Sequence, residues 1–414
     1  MDLISLIVLC ITLAIAFVFK MNSGLVAIAV SLVFSLVAGI PGKFLISSFN
    51  NSLFLMLLGV MYLFSIAQEN KTLELLAKKI FGLCKGKVKL LPIVLFLTGA
   101  VISAIGPGLI STTALVSVLV VALAEELDIA PIRLVPFAML GAFAGGLSPI
   151  TPSGIVAVNV AAENGITGVE ASAPWAMAMT CAIYAFILYF FFKWHKAANI
   201  PLQAQSGAES TPPFSAKQIA TLVGIVVVAV VTSVFGINVG LVSFAVSVVL
   251  TLFKCADEGA ALKKVPWSTL VMVTGVGILI SLVTELGGID LLSSALTKLS
   301  TPKTASGIMA LLSGVMSWVS SASGVVMPTL IPTVPEMAAS LPGTSAVELV
   351  SCICIGANIA PLSPLSTCGA LMLAAYSSSP KADAAARNKM FANLFALSAF
   401  GVLLSGVLAW IGLY

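Results

Sequence analysis

The sequence predicts an all-α integral membrane protein made of two inverted repeats, each with five transmembrane helices, a re-entrant helical hairpin and an interfacial amphipathic helix. Three observations carry this prediction: the chain is apolar throughout, it repeats itself once, and its basic residues are sorted by position. Hydrophobic residues make up 59% and charged residues 9%, far from the balance of a soluble domain. Uncharged stretches of about 17 to 20 residues recur, the length that crosses a bilayer.

The repeat is read directly. NSGLVAIAVSLV at 22–33 returns as NVGLVSFAVSVV at 238–249, an offset of 216. The same offset pairs Met56 with Met272, Gly59 with Gly275, Ser65 with Ser281, Glu69 with Glu285, Gly108 with Gly324 and Thr113 with Thr329. At an offset of 215, Gly141-Ala142 pairs with Gly356-Ala357, Leu147-Ser148-Pro149 with Leu362-Ser363-Pro364, and Gly154 with Gly369. An internal repeat in an apolar chain marks secondary transporters, which bind substrate between the halves.

In the first half, spans are predicted near 3–19, 24–40 and 53–69. The first is kept as a span and not a cleaved leader, because it belongs to the repeat and no basic side chain precedes it. TLELLAKKIFGLCKG at 72–86 places Leu73, Leu76, Ala77, Ile80 and Leu83 on one helical side, with lysines opposite, and reads as an interfacial helix. Apolar helices at 90–103 and 109–125 meet at Gly106-Pro107-Gly108, a sharp turn and hence a hairpin. The segment 134–163 is interrupted by SPITPSG at 148–154, and 174–193 is the last span. The second half repeats the order: 219–235, 238–253, 268–286, interface helix 289–299, hairpin 304–340, broken span 347–378 and last span 390–412. The polar stretch 195–216 is the linker, so the domains are 1–194, the linker, and 217–414.

Five crossings per half is an odd number, so the second half enters the membrane inverted. Of the 20 basic residues, 17 fall on one side of this topology, and only Lys43, Lys298 and Lys303 fall on the other. The positive-inside rule makes the first side cytoplasmic, in the cell or inner membrane, with both termini outside and the linker inside. The first hairpin then opens to the cytoplasm and the second to the outside. Trp175, Trp194, Trp267 and Trp410 lie near span ends as interfacial anchors, while Trp318 is expected to pack against scaffold helices. The scattered cysteines, without metal-ligand spacing, read as small buried apolar residues. The single histidine, His195, lies in a loop. No basic cluster combines with exposed aromatics, so nucleic acid is not an expected partner.

Backbone can leave the helix at bilayer depth only where protein or a wet cavity surrounds it. The chain does so at four places: the tips 103–113 and 320–329, and the breaks 147–154 and 362–369. All are rich in Ser, Thr, Gly and Pro. Helix N-termini after each break, near Leu109, Val325, Gly154 and Gly369, offer N–H groups and positive dipole ends, while the ends before them offer carbonyls. No Lys, Arg or His lies near any break along the chain, so no basic side chain is expected at the site. The candidate substrate ligands are Gly106, Pro107, Gly108, Ser111, Thr112, Ser148, Pro149, Thr151, Ser153, Ser321, Ser323, Gly324, Asn358, Ser363, Pro364, Ser366 and Thr367. The candidate cation ligands are Ser103, Gly106, Ser148, Ser320, Ala322 and Ser363. This donor set suits an anion held by N–H groups and hydroxyls beside a small cation held by carbonyls, the logic of cation-coupled symport. Sodium, or a proton, is the expected coupling ion; no cofactor and no resident metal are expected. Glu69, Glu125, Glu126, Asp128, Glu163, Glu285 and Glu336 are read mainly as solvated ends.

The segments FLMLLGVMYLFSIAQENKTLELLAKK (54–79), SAIGPG (103–108) and GAFAGGLSPITPSGIV (141–156) resemble the MatC-type dicarboxylate carriers of the ion transporter superfamily, distant relatives of the divalent-anion/sodium symporters. The resemblance implies uptake of malonate or a C4-dicarboxylate, a homodimer, and elevator-type movement of hairpins and broken spans against a scaffold. The symporters carry Ser-Asn-Thr at both tips; here the tips read Gly106-Pro107-Gly108 and Ser321-Ala322-Ser323, and Leu109 stands where related carriers often place Asn. The alternatives are the large membrane subunit of a TRAP-type binding-protein-dependent transporter, a channel, and an intramembrane enzyme. The last would need a nucleophile–base pair or a metal site, which the serines and threonines alone do not make.

Overall fold

The computed structural model describes residues 1–81, 88–196, 212–378 and 382–414, and these are helices joined by short irregular segments. The first half runs α1 (Asp2–Val18), α2 (Ser23–Ala38), α3 (Gly42–Ser47), α4 (Asn51–Glu69), α5 (Thr72–Phe81), α6 (Leu91–Ala104), α7 (Gly108–Glu126), α8 (Val135–Ala144), α9 (Pro152–Glu163) and α10 (Val169–Phe191). The second runs α11 (Ala216–Phe235), α12 (Val239–Leu252), α13 (Glu258–Lys264), α14 (Trp267–Glu285), α15 (Gly288–Leu299), α16 (Ala305–Val319), α17 (Met327–Leu330), α18 (Val334–Ser340), α19 (Ala346–Ile359), α20 (Thr367–Ser377) and α21 (Ala384–Trp410). Helix starts recur at the sequence offsets: α3 and α13, and α4 and α14, are 216 apart, while α9 and α20, and α10 and α21, are 215 apart. Caps recur too. Asn22 accepts the Gly24 N–H at 2.9 Å to start α2, and Asn238 accepts the Gly240 N–H at 2.9 Å to start α12.

The repeated glycines are where helices touch through backbone. A Cβ on Gly24 would lie 2.1 Å from the Val271 carbonyl oxygen, and one on Gly240 would lie 2.4 Å from that of Leu55. On the facing helices, a Cβ on Gly275 would lie 2.4 Å from the Gly24 oxygen, and one on Gly59 2.2 Å from the Gly240 oxygen. So α2 crosses α14 and α12 crosses α4: each half's second span packs on the other half's third. Small residues allow this approach, which drives helix association where lipid removes the hydrophobic incentive. Within each half, Gly141 places α8 against the Phe96 oxygen of α6, and Gly356 places α19 against the Ala310 oxygen of α16, at 2.1 and 2.0 Å from a would-be Cβ.

Two bodies follow. One comprises α1–α4 with α11–α14; the other comprises α6–α10 with α16–α21, in which α10 packs on α19 and α7 on α20. The amphipathic α5 and α15 lie between them, against α6 and α18 respectively. Among the described residues, six helices or helix pairs are long and apolar enough to cross a membrane, and the pair Ala305–Val319 and Ala322–Ser340 is bent by 118°, as in a broken span or a re-entrant hairpin. The apolar α1, α2 and α12 have 17, 16 and 14 residues.

Several expectations are corrected. The second arm of the second hairpin is not one helix. A π-helical turn (Ala322–Val326), α17, a 3-10 turn (Ile331–Thr333) and α18 replace it, because Pro328, Pro332 and Pro335 each remove a backbone donor. The first break begins at Gly145, three residues before Ser148. The short α3 and α13, which lead into the third spans, had no signal in the hydrophobic pattern. Trp194 is no interfacial anchor: it is 1% exposed, with the Arg133 guanidinium 4.9 Å from its ring. Trp175, Trp267 and Trp410 are exposed. Trp318 packs within its own body, donating to Ser398 Oγ at 2.9 Å beside Phe395 of α21. Cys10 is exposed, while Cys181, Cys255, Cys352, Cys354 and Cys368 are buried. Cys84 and most of the linker lie outside the described residues.

Candidate functional site

The first tip turns because two of its glycines adopt backbone that side chains resist: φ is +136° at Gly106 and +71° at Gly108. Both are also pressed by neighbours. A Cβ on Gly106 would fall 1.8 Å from the Phe64 ring of α4, and one on Gly108 3.0 Å from Pro152 and 3.6 Å from Thr151. The tip is thus wedged between the other body and the start of α9. The break before α9 is tied by one side chain. Thr151 Oγ1 donates toward the Gly146 and Ser148 carbonyls, each at 2.7 Å, and accepts the Gly154 N–H at 3.2 Å. That is an N-cap joined to a turn. Both breaks share one turn bond, from the Thr151 N–H to the Ser148 carbonyl at 2.9 Å and from the Ser366 N–H to the Ser363 carbonyl at 3.0 Å; the side chains differ, since in the second break Ser363 Oγ accepts the Leu365 N–H at 3.2 Å.

At the second tip, Ser320 donates to the Met316 carbonyl at 2.7 Å, and Ser321 Oγ accepts the Gly324 N–H at 3.1 Å. A Cβ on Gly324 would meet the Met272 side chain of α14 at 2.8 Å. Each tip therefore abuts the third span of one half, the first on α4 and the second on α14.

The two tips meet. Gly106, Pro107, Gly108, Ser111, Ser153 and Ser323 line one cavity of about 50 Å³, walled by Met61, Phe64, Ser65 and Gln68 of α4. Of the other candidates, Thr112 and Thr367 both line an adjoining groove that also touches Pro107 and Ser111. Asn358 is fully buried, with Nδ2 donating to the Cys354 carbonyl at 2.8 Å and Oδ1 without a partner among the described residues. Ser103, Thr112, Thr113, Thr329 and Ser366 also keep buried hydroxyls without partners among the described residues. Ser148, Pro149, Thr151, Ser320, Ser321, Ala322, Gly324, Ser363, Pro364 and Ser366 form the surrounding turns and do not line the cavity.

Two features escaped the sequence reading. The α4 wall, Met61 to Gln68, had no signal beyond the Ser65 repeat pair. Lys264 also lines the cavity, which corrects the expectation that no basic side chain stands near a break. It is far from every break along the chain, but α13 packs on α4 and carries Lys264 to the first tip. There it pairs with Glu69, Nζ to Oε2 at 2.5 Å. Glu69 is the ion-pair partner of this cavity-lining lysine and not simply a solvated end.

A wider vestibule of about 700 Å³ lies toward the opposite end of the α4/α14 pair. Its wall follows the repeat: Asn50, Leu53, Gly277, Ile280, Ser281 and Thr284 stand 216 from Pro266, Thr269, Met61, Phe64, Ser65 and Gln68 of the narrow cavity. Glu163, Glu285, Asp290 and Glu336 line it. Glu163 accepts from Asn50 Nδ2, and Glu336 accepts from Ser294 at 3.0 Å. Those two carboxylates are partnered, where solvated ends had been expected.

The chain is similar in fold to the YdaH transporter of Alcanivorax borkumensis, whose crystal structure is described as having an unusual topology. The TM-score is 0.57 at 12% identity, with 89% of this chain and 87% of that one covered. No curated protein matches the sequence. The family profile described as CitMHS, citrate transporter, matches residues 11–356. An apolar duplicated chain, with helix breaks gathered around an internal cavity, is thus a membrane transporter, and it belongs to the CitMHS citrate transporter family.

Proposed function

We propose that the protein is a secondary active importer of a small di- or tricarboxylate, coupled to sodium or protons, that works by elevator-type movement of the α6–α10/α16–α21 body against the α1–α4/α11–α14 body. The observation that carries the reading is the convergence of both hairpin tips on one cavity between the two bodies. There α7 and α9 present their N-terminal ends, each equivalent to roughly half a positive charge, beside Ser111, Ser153 and Ser323. Hydroxyls and N–H groups orient a carboxylate; the carbonyl ends of α6 and α16 and the unpartnered Ser103 and Asn358 oxygens suit a cation. Two bodies that meet through tips and walls, and not through interlocked helices, can slide as units.

The MatC-type resemblance points to malonate or a C4-dicarboxylate, and the family description points to citrate. A homodimer in the inner membrane, with both termini outside, completes the proposal. The test is uptake of labelled citrate, malonate and succinate by proteoliposomes, with and without sodium or proton gradients. Gradient-driven accumulation of at least one is expected. Movement of none, under any gradient, would reject the reading.

A further inference from the structure

We infer that Lys264 is an anion-receiving residue at the narrow mouth, exchanging Glu69 for a carboxylate of the transported ion as it leaves or enters there. The inference rests on the transport reading above. It starts from geometry: Lys264 lines the same cavity as Gly106, Gly108 and Ser323, yet belongs to the other body. Its ammonium is held by one carboxylate, Glu69, at 2.5 Å. Both side chains are partly exposed, 42% and 26%, so the pair is hydrated and weakly bound. A pair that weak exchanges readily for a competing carboxylate. A lysine is suited to this, being a flexible point charge on a long stem.

The repeat supplies a control within the same molecule. At an offset of 216, Glu69 corresponds to Glu285 and Lys264 to Ser48. Both Glu285 and Ser48 line the wide vestibule, where no lysine or arginine is among the lining residues. The fold therefore builds the same wall twice and places an ammonium in only one copy. Packing alone would not require it, since Ser48 serves at the equivalent point. What the lysine adds is a positive charge, on one face, beside a tip that otherwise offers only N–H groups and hydroxyls. Glu69 keeps that charge compensated while the cavity holds no anion, and withdrawing Glu69 leaves the lysine to the ligand. The pair thus lets an anion pause at this mouth without being trapped there.

The experiment measures KM on each face separately, using labelled citrate, malonate and succinate with right-side-out and inside-out membrane vesicles. Lys264→Gln should raise KM about tenfold on one face and leave the other within twofold. Lys264→Arg should restore it. Glu69→Gln should do the opposite on the same face, lowering KM and slowing turnover, because the ammonium has lost its competing carboxylate. Equal changes on both faces, or none, in Lys264→Gln would overturn the inference while leaving transport itself intact. Should Lys264→Gln fail to fold, Glu69→Gln still decides: a raised KM, or no change on either face, overturns it. Wild-type vesicles that move no carboxylate would instead sink the transport reading, and this inference with it.

Discussion

Replacing Gly106 by alanine adds one methyl group and tests why the first tip has its shape. Two costs are separable. The backbone sits at φ +136°, where a residue other than glycine costs about 1–3 kcal/mol. The new Cβ would lie 1.8 Å from Phe64 Cε2 and 1.9 Å from Cζ, and Phe64 is 5% exposed within the main core. Moving a packed ring costs a further ~1–3 kcal/mol. The total of about 2–6 kcal/mol is a large part of a typical ~5–15 kcal/mol of folding stability, so the tip should rearrange before the protein unfolds. Each 1.4 kcal/mol spent on holding the native tip lowers its population about tenfold. Gly106→Ala should therefore lose more than nine-tenths of carboxylate uptake in proteoliposomes, with a lowered but cooperative unfolding midpoint. Removing the ring isolates the second cost. On stability, Gly106→Ala and Phe64→Ala should couple by about 1–3 kcal/mol, the double variant being less damaged than the sum. Uptake within twofold of wild type, or additivity within about 0.5 kcal/mol, would refute the argument.

Three further outcomes are expected. In a cysteine-free background, a cysteine at Lys43 should label only from outside and one at its repeat equivalent Gly259, also exposed, only from the cytoplasm; labelling of both from one side would end the inverted topology. Substrate affinity, measured by calorimetry across a sodium series at two pH values, should tighten with the coupling cation, and Ser103→Ala, which removes a buried unpartnered hydroxyl, should weaken that dependence; affinity indifferent to both sodium and pH would reject symport. On α5, the Lys78 ammonium bound to Glu74 at 2.7 Å holds that carboxyl below its usual range. The depressed acid contributes stability above its unfolded pKa and loses it as pH falls through the folded value, so Glu74→Gln should cost ~0.3–0.5 kcal/mol at pH 7 and nothing in strong acid; an equal loss at both pH values would show a packing effect.

Much of this architecture was legible because a repeat exposes what packing requires. Gly59 and Gly275, and Gly141 and Gly356, stand out from the sequence only as matched letters; in three dimensions each is a point where two backbones touch. The tip at Gly106-Pro107-Gly108 was legible for a different reason, since two glycines around a proline leave the chain no helical route. What escaped was set by contacts between halves. Lys264 lies far along the chain from every break, and only the crossing of α12 and α13 with α4 brings it to the cavity. The α4 wall mixes Met61 and Phe64 with Ser65 and Gln68 close to the end of a span, where polar residues are ordinary, so composition alone does not mark it as a lining face. Trp194 stands at a span end, where an aromatic anchor is expected, but Arg133 covers it. Hydropathy cannot see that partner.

A duplicated fold would treat its two ends alike unless some residues depart from the repeat, and some of those departures fall at the site. Lys264 faces Ser48 in register, Asn358 faces Phe143 at an offset of 215, and Gly106-Pro107 faces Ala322-Ser323. These residues cannot set the direction of net flow, which belongs to the gradients: any preference for substrate on one face is repaid in the equilibrium between the two orientations. What they can change is rate. An ammonium at one mouth and none among the lining residues of the other gives the anion a stabilised waiting point on one side only, which alters the barrier to leaving there. In a protein built from two copies of one element, the positions where the copies disagree are therefore the first to mutate when uptake and release are to be told apart.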